Sequence, residues 1–467
     1  MGAQWNTLPA ALNKRVPFEL GGGIYTGSDP FDIKDNMTVD EYGWDTDHFP
    51  ALASRKGRTA LGASGGAITY LLTNYGNVEL IRSVGTVLQR YTGGAWANIG
   101  TGFTATDWDA SNFDISGPVL ILTNGTDVVQ YWTGSALNTI ASAPLGKYIA
   151  SDNRRVYIAA GDTISYCAFQ DALDWTTALN AGTVQFWTPN GGDVTALKNF
   201  QGQIWCFKRD AFALLYHTGD SRSTHRLVDG SNNIGCISYK TVVEVGDLLF
   251  WLAQDDVYIG AGGSASAIGE PIRRFLNDLN TAQLSKCSAF TDGLRYYLNL
   301  VTGTNTEPNI RLMYDPRSKR NLWRVSALNE GYRHGAYLNG VPYAADSSGQ
   351  TYTVNTGTTD NGTAISWMVE TKDYDLSEAE VEYWELHVQL YAPSGTTMTL
   401  QASVDQGAKY YSIGDPITAA ASAQNINVII PLDTMPLGNY GRFKLSGTGE
   451  VRIYQLQRYF RIQPVQL

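Results

Sequence analysis

The chain is poor in the residues on which most chemistry depends. It holds four cysteines and five histidines in 467 residues, and only 17% of its residues are charged. The cysteines, Cys167, Cys206, Cys236 and Cys287, lie far apart and match no metal-ligand spacing. Three of them sit in or beside strand-like runs, which reads as buried free thiols and suits folding in a reducing cytoplasm. The histidines, His48, His217, His225, His334 and His387, are dispersed, and none forms an HxH or HxxxH pair. There is no Gly-x-Ser-x-Gly elbow and no phosphate-cradling GxxxxGK followed by Ser or Thr. No run approaches the ~18–20 apolar residues that span a bilayer, so no membrane insertion is expected. The opening MGAQWNTLPAALNKRVPFEL has no apolar stretch behind a basic start and does not read as a secretory signal. The net charge of −10 argues against a general nucleic-acid binder, because neutralising phosphates needs a basic surface. It leaves room for a protein that surrounds DNA without gripping it.

What the chain does have is turns and strand-forming side chains: 48 glycines, 27 tyrosines, 12 tryptophans and an apolar fraction of 43%. From Val194 to Phe275, QIWCF and FALLYH flank the turn KRDA, and LLFWL and VYIGA flank QDD. Short runs of β-branched and aromatic residues around a polar turn predict hairpins. The same unit recurs in Ala67–Ile99, Pro118–Ile140, Tyr148–Phe169, Lys286–Val325 and Gly331–Asn355. The endings RYTGGAWANI and QYWTGSALNTI resemble one another, and Asn124-Gly125 and Asn339-Gly340 are strong hairpin signals. A repeated hairpin unit at this pitch predicts a β-propeller of about seven blades over residues 66–360. One helix is expected, at Gly269–Leu284, with Ile272, Phe275, Leu276 and Leu279 on one face. After residue 360 the strands lengthen and alternate, which predicts a C-terminal β-sandwich over 361–467. Residues 1–65 read as an arm or a closing segment, with the basic cluster Arg55, Lys56 and Arg58 as a solvated turn. The predicted class is therefore all-β.

Each candidate for chemistry has a plainer explanation. GAGGSASAIGEP (Gly260–Pro271) has the wrong glycine spacing for a dinucleotide loop and reads as a connection between blades. Ser403, Asp405 and Gly407 resemble an Asp-box, itself mostly a turn-stabilising device. The carboxylates Asp45/Asp47, Asp255/Asp256 and Glu378/Glu380/Glu382 are close in sequence, but no motif selects a pair for glycoside cleavage. Trp44, Trp96, Trp132 and Trp187 are candidates for stacking on sugars and equally for packing. No catalytic, cofactor-binding or metal-ligating residue is assigned, and no cofactor; the chain does not read as an enzyme.

A family resemblance enters at IWCFKRDAFALLYHTG, NNIGCISYKTVVEVGDLLFWLAQDDVYIGAGG and SAIGEPIRRFL, with GNYGRFKLSGTGEVRIYQLQ near the end. These stretches resemble the packaged-DNA stabilisation proteins of short-tailed bacteriophages, propeller proteins of the tail nozzle. The resemblance covers most of the chain as architecture and about 80 residues in detail. It implies a virion structural protein of the tail hub, made in the host cytoplasm and assembled as a ring of about six copies. The implied partners are the portal and adaptor proteins, a tail needle or plug, and tailspikes or fibres. Packaged DNA would pass through without sequence-specific binding. Two alternatives stay open: a carbohydrate-binding or carbohydrate-cleaving propeller module at a tail tip or cell surface, and another tail or capsid-surface component.

Overall fold

The computed structural model describes residues 12–220, 224–375, 380–420 and 426–463. The chain is all-β, and the apolar runs singled out above are strands, including Gln203–Lys208, Phe212–His217, Leu248–Leu252 and Val257–Ala261. They form six four-stranded and three six-stranded sheets, almost entirely antiparallel.

The four-stranded sheets follow one another along the chain, each an up-and-down meander. The first runs from Thr69 to Thr101, the second from Asp109 to Thr139, the third from Tyr148 to Gln185 and the fourth from Val194 to Ser231. The fifth runs from Val243 to Ala267 and the sixth from Ser288 to Leu328. A seventh meander, His334–Leu338, Val341–Ala345 and Thr351–Val354, takes its fourth strand from Arg58–Ala60, some 290 residues earlier in the chain. The opening strand of each meander packs against the opening strand of the next, except that Val194–Phe200 of the fourth meets the 3-10 turn Tyr239–Thr241 that leads into the fifth, and the seventh returns to the first. The sheets therefore close into a ring, and their opening strands face its axis.

Local chemistry sets these hairpins. Asn339 and Gly340 both take positive φ (51° and 81°), as a two-residue turn between Leu338 and Val341 requires. A second device recurs in longer turns. Asp152 Oδ1 accepts the N–H groups of Arg154 and Arg155 at 2.7 and 2.8 Å, and Oδ2 accepts the hydroxyl of Tyr157 at 3.1 Å. Asp292 does the same with Leu294, Arg295 and Tyr297, and Asp346 with Ser348, Gln350 and Tyr352. In each case the aspartate leaves one strand and the tyrosine is the second residue of the next. One carboxylate thus fixes both the turn and the register.

Two six-stranded sheets stand apart from the ring. One orders Trp44–Asp45, Leu52–Ser54, Arg452–Ile462, Val381–Tyr391 and Ile426–Pro431, with Leu12–Phe18 also on Arg452–Ile462. The other orders Thr38–Tyr42, Ser366–Thr371, Tyr440–Thr448, Thr397–Ser403 and Tyr411–Thr418. Inward residues of both, among them Trp44, Trp367, Leu386, Phe443 and Leu456, form one buried cluster. Residues 12–54 supply four strands here before the chain reaches the ring.

Two expectations need correction. The helix breaks into a 3-10 turn at Glu270–Ile272, an α-helix only at Arg273–Asn277, and another 3-10 turn at Thr281–Lys286. The α-helix stops at Asn277, and Asn280, whose side chain accepts the Ala282 N–H, caps a new turn in place of its continuation. The apolar face holds nonetheless: Ile272, Phe275 and Leu276 are buried. Nor is Arg55-Lys56-x-Arg58 a solvated turn. Arg55 is buried and bidentate on Asp360 at 3.0 and 2.5 Å, and Arg58 stacks on Tyr352 and pairs with Glu330 at 3.2 Å. Gly57 between them passes so close to Thr359 that an added Cβ would lie 1.9 Å from its carbonyl oxygen. Carboxylates far along the chain, Glu330 and Asp360, draw the arginines inward.

Candidate functional site

The opening strands enclose an axial cavity of about 350 Å³. One end is crossed by charge. Asp107, just before the second sheet, accepts Lys240 Nζ at 2.9 Å from the turn leading into the fifth. Its other oxygen accepts Arg333 Nη2 at 3.3 Å, and His334 Nε2 lies 3.5 Å away, both from the start of the seventh sheet. Tyr239 donates its hydroxyl to the carbonyl of Trp108 at 2.7 Å along the same line. Groups from the second, fifth and seventh sheets meet here, so the network crosses that end of the ring. Arg333 continues outward to Glu307 at 3.1 Å, where Lys286 also pairs.

The electrostatics follow from burial. Burial alone would raise the Asp107 carboxyl, but its hydrogen-bonding and charged neighbours hold it far below the ordinary carboxylate range. The hydrogen bond from His334 leads that pull, followed by the charges of Lys240 and Arg333, while His334 is itself pushed down to about 4 by burial. Lys240 is lowered by burial in spite of its partner. Deeper in the cavity Asp109 accepts the backbone N–H groups of Ala110 and Ile149 at 2.8 and 2.9 Å, yet desolvation lifts it to about 7.

Toward the other end the lining is polar. Ser111 and Ser151 share a 2.7 Å hydroxyl bond, and Asn199 donates to the Ser151 carbonyl at 2.6 Å. Lys198 and Glu244 line the same cavity from neighbouring sheets, and neither makes a hydrogen bond or an ion pair among the described residues.

The residues considered from sequence lie elsewhere. Asp45 and Asp47 meet Arg295 at 3.8 and 2.8 Å, and Asp256 meets Arg273 at 2.5 Å and caps Gly269 at 2.6 Å. Glu382 and Glu380 belong to the paired sheets, beside Arg452–Ile462, and Glu378 lies outside the described residues. Gly262 and Gly263 of the glycine-rich stretch form the hairpin turn between Ala261 and Ser264. Ser403 Oγ accepts the N–H groups of Asp405 and Gly407 and donates to Asp405 Oδ1 at 2.7 Å, which makes the Asp-box-like segment a turn. Trp44 is core; Trp96 packs under Arg82, Trp132 donates to Glu79 at 2.8 Å, and Trp187 is exposed. All four cysteines are buried free thiols, each raised by burial. Among the described residues no three His, Cys, Asp or Glu side chains converge as a metal site. Sequence reading missed Asp107, Lys240 and Arg333, which meet only through ring closure, and Lys198 and Glu244, which line the cavity. Lys198 alone left a signal, as a charge inside the apolar strand Val194–Phe200.

No family model matches the chain, and no curated protein does. Among solved structures it is similar to two forms of the extracellular domain of BT4673 from B. thetaiotaomicron. One is 9% identical over 79% of this chain and 47% of that one, with a TM-score of 0.40. The other is 10% identical over 89% and 64%, with a TM-score of 0.44. The chain thus spans about half to two-thirds of their length. It is also similar to the C-terminal WD40 domain of Sif2, at 12% identity over 68% of this chain and 95% of that one, with a TM-score of 0.38. The WD40 β-propeller domain of Doa1 gives 7%, 64%, 95% and 0.41.

Proposed function

We propose that this chain is a structural building block of a particle: a seven-bladed propeller joined to a β-sandwich, acting as a tail-nozzle component of a short-tailed bacteriophage. The observation that carries the reading is the junction. Residues 38–60 run from the paired six-stranded sheets into the ring and are clamped on the way by Glu41–Arg324, Asp47–Arg295 and Arg55–Asp360, at 2.6, 2.8 and 2.5 Å. Such a joint makes one stiff body of two parts, as a nozzle that contains packaged DNA under pressure needs. The narrow axial cavity adds a constraint. At about 350 Å³ it admits no duplex, so DNA would run between copies of the chain arranged in a ring. An acidic protein repels DNA and lets it slide, in keeping with a net charge of −10.

The test is where the protein sits. Labelled Fab fragments on intact particles, with purified chain added to portal–adaptor complexes, should mark the tail base and show stable binding. Label on fibre tips or the capsid surface would sink the nozzle reading. One observation favours the glycan alternative: Trp384, Tyr454 and Ile429 are exposed on the paired-sheet part of the molecule. A glycan array decides that reading separately.

A further inference from the structure

A strand at the margin of a sheet leaves every second N–H and C=O without a partner, and proteins blunt such margins with charge or proline. Two long margins of the paired sheets follow that rule. Leu12–Phe18 carries Lys14, Arg15 and Pro17, and Tyr411–Thr418 carries Asp415 and Pro416. Ile426–Pro431 (INVIIP) is different: it is a margin with no charge and with a proline only at its last residue. The Leu432 N–H donates to the Trp384 carbonyl at 2.7 Å, and Ile430 and Val428 stand opposite Leu386 and Val388. Antiparallel ladders alternate, so Val428 and Ile430 turn their backbone groups to Val381–Tyr391, and Asn427 and Ile429 turn theirs outward. Among the described residues no backbone group meets those of Asn427 and Ile429 on that side. Both residues are exposed, Ile429 at 55%. The interior is open at the same place. Val428 and Ile417, on facing margins of the two sheets, are only half-buried, and with Leu390, Met398 and Ala419 they line an apolar cleft of about 20 Å³.

We infer that a second copy of the chain pairs here, with Ile426–Pro431 of the two copies antiparallel about a two-fold axis beside Val428. Two arguments choose this occupant. The first is charge. Each copy carries −10, so two copies repel except where neither presents charge, and residues 427–431 present none. The second is self-complementarity. With Asn427 opposite the partner's Ile429, each such pair exchanges both of its bonds, and the two-fold repeats the exchange. Every outward donor and acceptor of Asn427 and Ile429 is then used, and Pro431, with no N–H to give, stays outside the ladder. The same register sets Val428 against the partner's Val428, over the mouth of the apolar cleft. The contact is small and belongs with weak, reversible pairs. It closes at two copies and so stands apart from the ring proposed above.

Sedimentation velocity of the full chain over a concentration series, with residue-resolved hydrogen exchange at both ends of it, tests the pairing. The expected result is a reversible dimer whose formation slows exchange at Asn427 and Ile429. Val428 and Ile430, already bonded within the sheet, should not change. Ile429→Lys puts a charge on the margin, and Ile429→Pro removes an outward donor without touching the ladder to Val381–Tyr391. Symmetry counts each change twice, so each should weaken association about tenfold to a hundredfold. Both variants should keep the parent's melting temperature at concentrations where the monomer dominates. Val78→Lys, at a 72% exposed site on the ring, should leave association unchanged. A chain that stays monomeric up to about 1 mM overturns the inference. So does a dimer that neither Ile429 variant weakens, and so does any assembly in which the amides of Asn427 and Ile429 go on exchanging freely.

Discussion

His225 shows how one buried side chain writes itself into the pH dependence of the whole protein. Its ring is buried against Tyr166, with centroids 4.1 Å apart, and its nitrogens meet Tyr157 and Thr224 at 3.2 and 2.9 Å. Burial, helped by Arg155, pushes it from 6.5 down to about 4. Between those values the unfolded chain binds a proton that the folded chain refuses, so stability falls as the pH drops from about 6.5 to about 4. His334, also near 4, acts in the same direction, whereas Asp109 and Asp45, raised to about 7 and about 6, act in the opposite one. Comparing a variant with the parent isolates one group. His225→Phe should flatten the acid limb, so that its stability difference from wild type shifts by about 2 kcal/mol between pH 6.5 and pH 5. Urea midpoints at the two pH values measure it, and a parallel pair of profiles would refute it. Asp107 is a harder case. Asp107→Asn strands the buried Lys240, while Arg333 keeps Glu307, at a cost of about 3–5 kcal/mol. A urea midpoint within error of wild type would mean that the axial network is not formed.

At the scale of elements, much was legible because the signals were local. Apolar runs such as LLFWL and FALLYH are strands because their side chains suit a sheet covered on both faces, and Asn339-Gly340 turns because both residues accept positive φ. The helix was half legible: its apolar face is buried as its spacing implies, but the cap at Asn280 that starts a new turn in its place is a single side-chain hydrogen bond. Non-local pairings left no trace. Nothing in Arg58–Ala60 says that its partner is Thr351–Val354, and the arginines on either side of Gly57 looked solvated for the same reason. The cavity was illegible for that reason too, since Asp107 finds Lys240 only when the ring closes. The Asp–Tyr turn lay between these extremes. It was visible as an aspartate five or six residues ahead of a tyrosine, but lost among many tyrosines. Its energetics can be checked element by element. Tyr157→Phe, Tyr297→Phe and Tyr352→Phe each remove one hydroxyl bond to a carboxylate in a separate sheet, and each should cost about 1 kcal/mol. Tyr157 lies in a separate cluster and should add to either of the others, giving about 2 kcal/mol for such a double variant in urea unfolding, whereas Tyr297 and Tyr352 share one buried cluster and are near enough to couple. Marked non-additivity between Tyr157→Phe and either of the others would show that the turns are coupled through the ring.

For the whole molecule, the question is whether ring and paired sheets behave as one body. Glu41 belongs to Thr38–Tyr42, a strand of the paired sheets, yet its Oε2 accepts Arg324 Nη1 at 2.6 Å from a strand of the sixth ring sheet. Thr38 donates to the same oxygen at 2.8 Å, and Arg324 Nη2 reaches the carbonyl of Leu20 at 2.6 Å. Glu41 is 0% and Arg324 1% exposed, so water cannot replace either partner. Breaking such a pair costs about 3–5 kcal/mol because a charge is left buried alone, whereas replacing both partners with apolar groups can be nearly neutral. Glu41→Gln should therefore weaken the joint more than either body. Scanning calorimetry should show the single transition of the parent separating into two, the lower one moved down. Glu41→Met combined with Arg324→Met should bring the transitions back together, since no charge is then stranded. One undivided transition at the parent's temperature in Glu41→Gln would mean that apolar contact, not the ion pair, couples the two parts. The stiffness on which the proposed nozzle role rests would then have to come from the strands of residues 38–60 themselves.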